Sequence, residues 1–278
     1  GADSGHVRIY NFNENEWTEI IKKAVKTKEV WLDLFDVYGV GVLSNNLEHV
    51  KGFKLQTSVL NNYTVLNKLK EIDLKDKKLI VNVAGRSLED LETTIAYFEN
   101  NFNLNELLIE VGFQAYPTDL IDSGVSKIKS VKEKFKKRIV FADHVSGKEI
   151  HAKILPVLAV VSGADIIEKH VMHSTRETEY DHFSSIKVHE FKELIQLLNQ
   201  YSVLLSQPFI NENELKYLNQ TMQVPVLVAD VNEGDFLSTM NFDYKRTSLN
   251  GVKYYELKEL IGSGKIKLIN NKRKNNLI

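Results

Sequence analysis

Residues 163–186 read GADIIEKHVMHSTRETEYDHFSSI. The segment opens as a short apolar strand over 165–172 and runs into a polar loop holding His173, Asp181 and His182. Glu168 and His170 lie two residues apart, so on a strand they share one face. Such a cluster at the end of a hydrophobic strand predicts a functional rim where the strand exits into solvent.

Upstream, the same kind of strand recurs with helices between. Apolar, Val/Ile/Leu-rich runs over 7–12, 29–36, 52–58, 78–84, 106–113 and 138–145 alternate with amphipathic segments over 14–27, 61–72, 88–102, 118–135 and 151–162, with a weaker one over 42–50. In 14–27, Trp17, Ile20, Ile21 and Ala24 fall on one face, and Ser87 with Asp90 makes a capping box for the helix after it. A last helix is predicted over 187–205. Seven strand–helix units of this kind specify an α/β protein with a parallel sheet covered by helices. Lys54, Gln114, His144 and His170 fall at the ends of different strands. A (β/α)8 TIM barrel gathers such ends around one mouth. On that count one βα unit is missing and would precede Gly1. After residue 205 the pattern changes: 206–221 reads as a linker, and 222–278 as a small β-rich module with strands near 224–228, 236–237 and 266–269 and a turn at Asn232-Glu233-Gly234-Asp235.

Composition narrows the classes. The 278 residues carry 36 Lys+Arg against 37 Asp+Glu, a formal net charge of −1, which gives no global pull toward nucleic acid. There is no cysteine, hence no disulfide, thiolate ligand or thiol nucleophile, as suits a cytoplasmic protein. No apolar run approaches a membrane span and no signal peptide is visible.

Chemistry concentrates at a few positions. His144 (FADH) and His170 (EKH) stand on consecutive strands at matching heights; either they share a divalent metal or each is separately hydrogen-bonded. Without thiolates, such a pair leaves positions for water and substrate oxygens, which suits Mn²⁺ or Mg²⁺. Lys54 (GFKLQTS) is a lysine inside an apolar strand, either meeting an anion at the mouth or extending its amine to solvent. Gly85 precedes a helix N-terminus, a weak anion-site signal. Gln114 and Tyr116 (GFQAYPTD) sit on a strand-end loop.

The ordered series KLQTS, VAGRSLEDLE, QAYPT, FADH, EKH and YDHFSS, followed by a helix opening VHEFKEL, resembles the sialic acid synthase (N-acetylneuraminate synthase) family, which includes relatives in spore-coat polysaccharide synthesis. The tail VLVADVNEGDFLSTMNFDYKRTSLNG resembles that family's C-terminal antifreeze-like (SAF, β-clip-like) domain. The resemblance implies a synthase barrel over 1–205, a linker over 206–221 and an SAF domain over 222–278. It implies a transferase that condenses phosphoenolpyruvate with the open-chain aldehyde of an N-acylated mannosamine-type sugar, releasing phosphate and a nonulosonic acid. By the same resemblance, His144 and His170 hold Mn²⁺ or Mg²⁺, Lys54 contacts phosphoenolpyruvate, and Tyr116 and Asp181 are sugar-site residues. Arg8 stands at a family lysine and Gln114 at a family asparagine. Arg246 matches an arginine inserted into the partner's active site, which implies a domain-swapped homodimer. No nucleic acid and no membrane partner are implied.

The departures lie at the phosphate end. Asp33 replaces a family hydroxyl, Val83 and Ala142 replace family serines, and Val59 replaces a glutamate. The first βα unit, with the family's catalytic glutamate, is expected before Gly1. Two other readings follow: a diverged member catalysing another aldol-type reaction, and a non-catalytic homologue.

Overall fold

The structure, a computed structural model, describes residues 12–173, 175, 181–246, 251–264 and 270–277. The chain divides into two compact units, Gly1–Leu205 and Ser206–Ile278.

In the first unit the described residues run α1 (Glu14–Ala24), β1 (Val30–Leu34), α2 (Val37–Asn45), β2 (Val50–Leu55), α3 (Tyr63–Lys70), β3 (Lys78–Asn82), α4 (Leu88–Asn101), β4 (Glu106–Val111), α5 (Lys127–Phe135), β5 (Ile139–Asp143), α6 (His151–Val161), β6 (Ile166–Lys169), β7 (Val171–Met172), β8 (Ile186–Lys187) and α7 (Val188–Leu205). Strands β1 to β6 form one six-stranded sheet in sequence order, and every neighbouring pair is parallel. Local chemistry starts the helices: Asn13 and Glu16 form a capping box on α1, and Ser87 and Asp90 form one on α4.

The sheet has two apolar faces. Phe53, Leu55, Leu79, Val81, Ile109, Ile139 and Phe141 pack with helix residues such as Leu69, Phe98, Ile128 and Leu155 in the main core. Alternate positions on the other face, Ile80, Leu108 and Val140 with Trp31 and Ile166, form a second, smaller cluster. That inner face is concave. β2 and β6 are four strands apart, ~19 Å in a flat sheet at ~4.8 Å per strand. Lys54 Nζ on β2 nevertheless lies 2.6 Å from Glu168 Oε1 on β6. No pair of side chains spans a flat sheet that far, so the sheet is curled.

Several expectations are corrected here. The helix expected over 42–50 begins earlier, because Asp36 caps it through Gly39 N at 2.8 Å. Gly39 and Gly41 interrupt its apolar periodicity, which hid its start. Ile20 does not join the buried face of α1; it is exposed, whereas Ile21 is buried. The helix expected over 118–135 is a 3-10 turn at Leu120–Asp122 followed by α5, separated by Gly124 at φ +78°. The strand expected over 165–172 ends at Lys169, and Val171–Met172 leaves the sheet to pair with Ile186–Lys187.

In the second unit, the stretch 206–221 expected as linker contains the helix α8 (Glu212–Thr221), started by an Asn211/Glu214 capping box. β9 (Gln223–Leu227) pairs antiparallel with β10 (Phe242–Arg246), and α9 spans Tyr254–Gly262. Gly234 takes φ +86° at the turn, where Asp235 Oδ2 accepts from Asn232 N. Of the strand expected over 236–237, Phe236 makes an isolated β-bridge, and Leu237 packs with Leu227 and Val231. The strand expected over 266–269, and that over 7–12 apart from Phe12, lie outside the described residues. Among the described residues no helix is long and apolar enough to cross a membrane.

Close packing on the inner face gives a test. A Cβ on Gly52 would lie 2.4 Å from the Trp31 ring and 2.5 Å from the Lys78 carbonyl oxygen. Gly52→Ala is expected to lower stability by ~1–3 kcal/mol, read from urea unfolding.

Candidate active site

Strand periodicity sets which side chains reach the concave face. Asp33, Lys54, Asn82, Glu110 and Glu168 follow Trp31, Gly52, Ile80, Leu108 and Ile166 by two residues and so project from the same side. Lys54 is the centre of this group. Its amine lies 2.6 Å from Glu168 Oε1, 2.9 Å from Glu110 Oε1 and 3.8 Å from Asp33 Oδ2. Asn82 Nδ2 donates to Glu110 Oε1 at 2.7 Å, and Gln56 Nε2 donates to Asp33 Oδ2 at 2.6 Å. Gln114 Nε2 donates in turn to Gln56 Oε1. The carboxamides thus link the β4 loop to β1, and Asp33 is held by Gln56 with Lys54 beside it.

One cation among three carboxylates forces the protonation states apart. Burial lowers the affinity of the Lys54 amine for its proton, but Glu110 and Glu168 outweigh burial and push its pKa up. Burial, reinforced by the charge of Glu168, pushes the Glu110 carboxyl up to about 8. For Glu168, burial also acts upward, but Lys54 prevails and the pKa falls. Glu110 is therefore the neutral member at pH 7. Its Oε2, buried with no donor directed at it, is the oxygen suited to carry that proton. Asp33 is raised by burial, against the pull of Lys54 and Gln56.

His144 and His170 stand just past the ends of β5 and β6. Their ring centroids are 5.1 Å apart, and the Tyr116 ring meets both edge-on at 4.8 and 5.3 Å. His144 Nδ1 lies 2.9 Å from the Phe113 carbonyl oxygen. A carbonyl can only accept, so Nδ1 carries the hydrogen and Nε2 keeps its lone pair. Burial lowers the His144 pKa to about 4 and also lowers that of His170, so both rings are neutral at pH 7. Asp181, at φ +57°, places Oδ2 3.8 Å from His170 Nδ1. Burial and the Asp181 charge raise the Tyr116 pKa.

The structure thus brings together Lys54, Gln114, Tyr116, His144, His170 and Asp181. Arg246 lies on β10 of the second unit, opposite Gln223. Arg8 lies outside the described residues. Gly85, at φ +77°, lines a separate cavity of about 330 Å³ with Phe113, Asp122 and Lys127. Val59, Val83 and Ala142 are buried apolar residues. His182 packs on Phe183, and His173 contacts Thr175.

Sequence reasoning missed Glu110, Asn82 and Gln56 and gave Glu168 no role. The signal for Glu110 was present: an acid inside the apolar strand LLIEV is as anomalous as Lys54 inside GFKLQ.

An α/β scaffold with a curled parallel sheet and a polar cluster at its strand ends is the class these features define. Residues 5–208 match the NeuB family, and the chain belongs to it. It is 25% identical over 248 residues to N,N'-diacetyllegionaminic acid synthase of Campylobacter jejuni, covering 88% of this chain and 71% of that protein. It is 28% identical over 191 residues to a pseudaminic acid synthase of the same species, covering 68% of this chain and 53% of that protein. An uncharacterized protein of Methanocaldococcus jannaschii is 24% identical over 268 residues, covering 88% and 76%. Among solved structures, N-acetylneuraminic acid synthetase of Leptospira borgpetersenii superposes with a TM-score of 0.63 at 24% identity, covering 75% of this chain and 71% of that one. A Bacillus subtilis spore coat polysaccharide biosynthesis protein gives 0.61 at 19% identity, covering 96% and 77%. The family and these relatives make the chain a sialic-acid-synthase-like protein.

The Glu110 proton has a measurable signature. Between about 4.5 and about 8, folded Glu110 keeps a proton that the unfolded chain has released, so stability falls as pH rises through that window. The slope is at most ~1.4 kcal/mol per pH unit. Glu110→Gln, which cannot ionise, is expected to flatten this component, measured as urea midpoints at about pH 5 and about pH 8 against wild type.

Proposed function

We propose that the protein condenses phosphoenolpyruvate with the open-chain aldehyde of an N-acylated mannosamine-type sugar, yielding a nonulosonic acid and phosphate. One observation carries this reading in a NeuB-family chain: a buried ammonium and a pair of neutral imidazoles face the same mouth. Glu168 joins the two ends, since it pairs with Lys54 and its charge acts on both histidines.

The roles follow from the groups present. Lys54 is the cation for the carboxylate or phosphate of the enol donor. Tyr116 and Asp181 flank the imidazoles and are placed to hold sugar hydroxyls. The donor set fits a divalent ion: two neutral imidazoles, the lone pair of His144 fixed by its Phe113 hydrogen bond, with further positions left to water or substrate. Among the described residues no group of three or more His, Asp or Glu forms a complete protein cage. Nitrogen donors favour Mn²⁺ over oxygen-seeking Mg²⁺. When bound, the ion supplies Lewis-acid polarisation of the aldehyde. The reading includes a closed (β/α)8 barrel, a C-terminal SAF domain and a domain-swapped cytoplasmic homodimer in which Arg246 enters the partner's site; Arg8 serves the donor anion.

A second reading is favoured by the phosphate end. Lys54 is surrounded by carboxylates, Asp33 stands at a hydroxyl position, and Val83 and Ala142 are apolar. With Glu110 protonated, Asp33 and Glu168 leave this group one negative charge in excess of Lys54. That balance repels a phosphate dianion and favours an enol donor without phosphate.

Phosphate release by the full-length protein, given phosphoenolpyruvate, a panel of N-acylated hexosamines and Mn²⁺, separates the two. Release with at least one sugar is expected. No release with any sugar, together with product from pyruvate, transfers the assignment to the second reading. His144→Ala and His170→Ala are each expected to abolish Mn²⁺-dependent turnover. Lys54→Met is expected to lower kcat/KM at least about tenfold, the loss of one charge-assisted hydrogen bond worth ~1.5–3 kcal/mol.

A further inference from the structure

Directly behind the two imidazoles lies an ion pair that the proposed chemistry does not use. Lys169 Nζ meets Asp143 Oδ2 at 2.8 Å, and both side chains are fully excluded from solvent. Asp143 and Lys169 immediately precede His144 and His170 and therefore point to the opposite face of the sheet. They are also the last registered partners of β5 and β6. Beyond them the backbone ladder stops, and nothing in the sheet itself fixes the relative height of the next two residues.

We propose that the Asp143–Lys169 pair is a positioning device that holds the His144 and His170 imidazoles at a common height. Asp143 acts on both sides of the first histidine. Its Oδ1 accepts from Val145 N at 3.0 Å, closing the backbone around His144, while its Oδ2 ties that turn to β6 through Lys169. The surrounding hydrogen bonds complete the clamp. The His144 carbonyl oxygen accepts from Thr118 N at 2.8 Å and Ser184 Oγ at 2.7 Å, and the His170 carbonyl oxygen accepts from Ile186 N at 3.0 Å. The segment 184–186 thus touches both histidine carbonyls from the loop side, while the ion pair joins the two strand ends through side chains on the opposite face of the sheet, one residue before each histidine. Energetics point the same way. A fully dehydrated ion pair is often no more stable than well-packed apolar side chains of similar volume, so stability alone is a poor reason for its presence. A single charge-assisted contact of defined length does set a register that apolar packing leaves loose.

The inference rests on the reading of His144 and His170 as a metal pair, and the test separates the two. The double variant Asp143→Leu/Lys169→Met replaces the ion pair by apolar side chains. Three quantities are measured: the urea midpoint, Mn²⁺ affinity of the metal-free protein by electron paramagnetic resonance, and the His144 tautomer by nitrogen-15 NMR without metal. The expected result is a midpoint equal to or above wild type, Mn²⁺ affinity at least about tenfold weaker, and loss of the single Nδ1–H tautomer that Phe113 enforces. Unchanged affinity and an unchanged tautomer would overturn the proposal, leaving the pair a packing element. If the double variant does not fold, Asp143→Asn keeps the volume and the bond to Val145 N while weakening the contact with Lys169, and the same criteria apply. A wild type that binds no Mn²⁺ removes the metal reading, and the tautomer measurement then decides the positioning role by itself.

Discussion

The contact between Lys54 and Glu168 joins strands that a flat sheet would hold ~19 Å apart. A buried ammonium needs anions, and the only way for β2 and β6 to satisfy each other is for the sheet to bend around them. Glu110 lies between in strand order, and Asp33 stands on the neighbouring strand, so the charges line the concavity. Burial cannot accommodate three charged carboxylates beside one cation. Glu110, the most enclosed, gives up its charge, and Asn82 binds the oxygen that also faces Lys54. Curvature and protonation state are thus two results of one electrostatic constraint.

The two ends of the mouth are built on different principles. At the lysine end, position is set by mutual attraction among charges, with carboxamides of Gln56 and Gln114 filling in behind Asp33. At the histidine end the rings are neutral; they meet the Phe113 carbonyl and the edge of Tyr116, with the buried Asp143–Lys169 pair behind them. Substitution at the first end changes charge and so changes what can bind; substitution at the second changes geometry. Of the departures expected from the sialic acid synthase pattern, Asp33 lies on β1 and Val83 just past β3, whereas Ala142 lies on β5, two residues before His144.

Much of this was legible in the sequence because strand periodicity is rigid. A lysine inside an apolar strand singled out Lys54, a two-residue repeat paired Glu168 with His170, and the family resemblance named Tyr116 and Asp181 for the same site. The unread parts have physical reasons. Glu110 was overlooked because an acid in an apolar strand looks like a local exception until its cation, 56 positions earlier in the chain, is brought against it by the curl. Asn82 and Gln56 act only as supports for charges on other strands, a relation that no local pattern encodes. Errors in element boundaries fell at glycines: Gly39 and Gly41 concealed the start of α2, and Gly124 divided a predicted helix. The exit of the chain from the sheet at His170 depends on its pairing with Ile186–Lys187, residues beyond a loop.

The carboxylates around Lys54 also close off one kind of chemistry. Imine-forming aldol catalysts need a lysine whose nitrogen lone pair is free, which calls for an apolar or cationic neighbourhood. Here Glu168 carries the charge that stabilises the ammonium, with Glu110 Oε1 2.9 Å from it, so the nitrogen is withheld from carbonyl carbon. Covalent capture of a keto acid by Lys54 would require the loss of those two contacts first. In the proposed condensation Lys54 therefore acts as an electrostatic partner rather than a nucleophile.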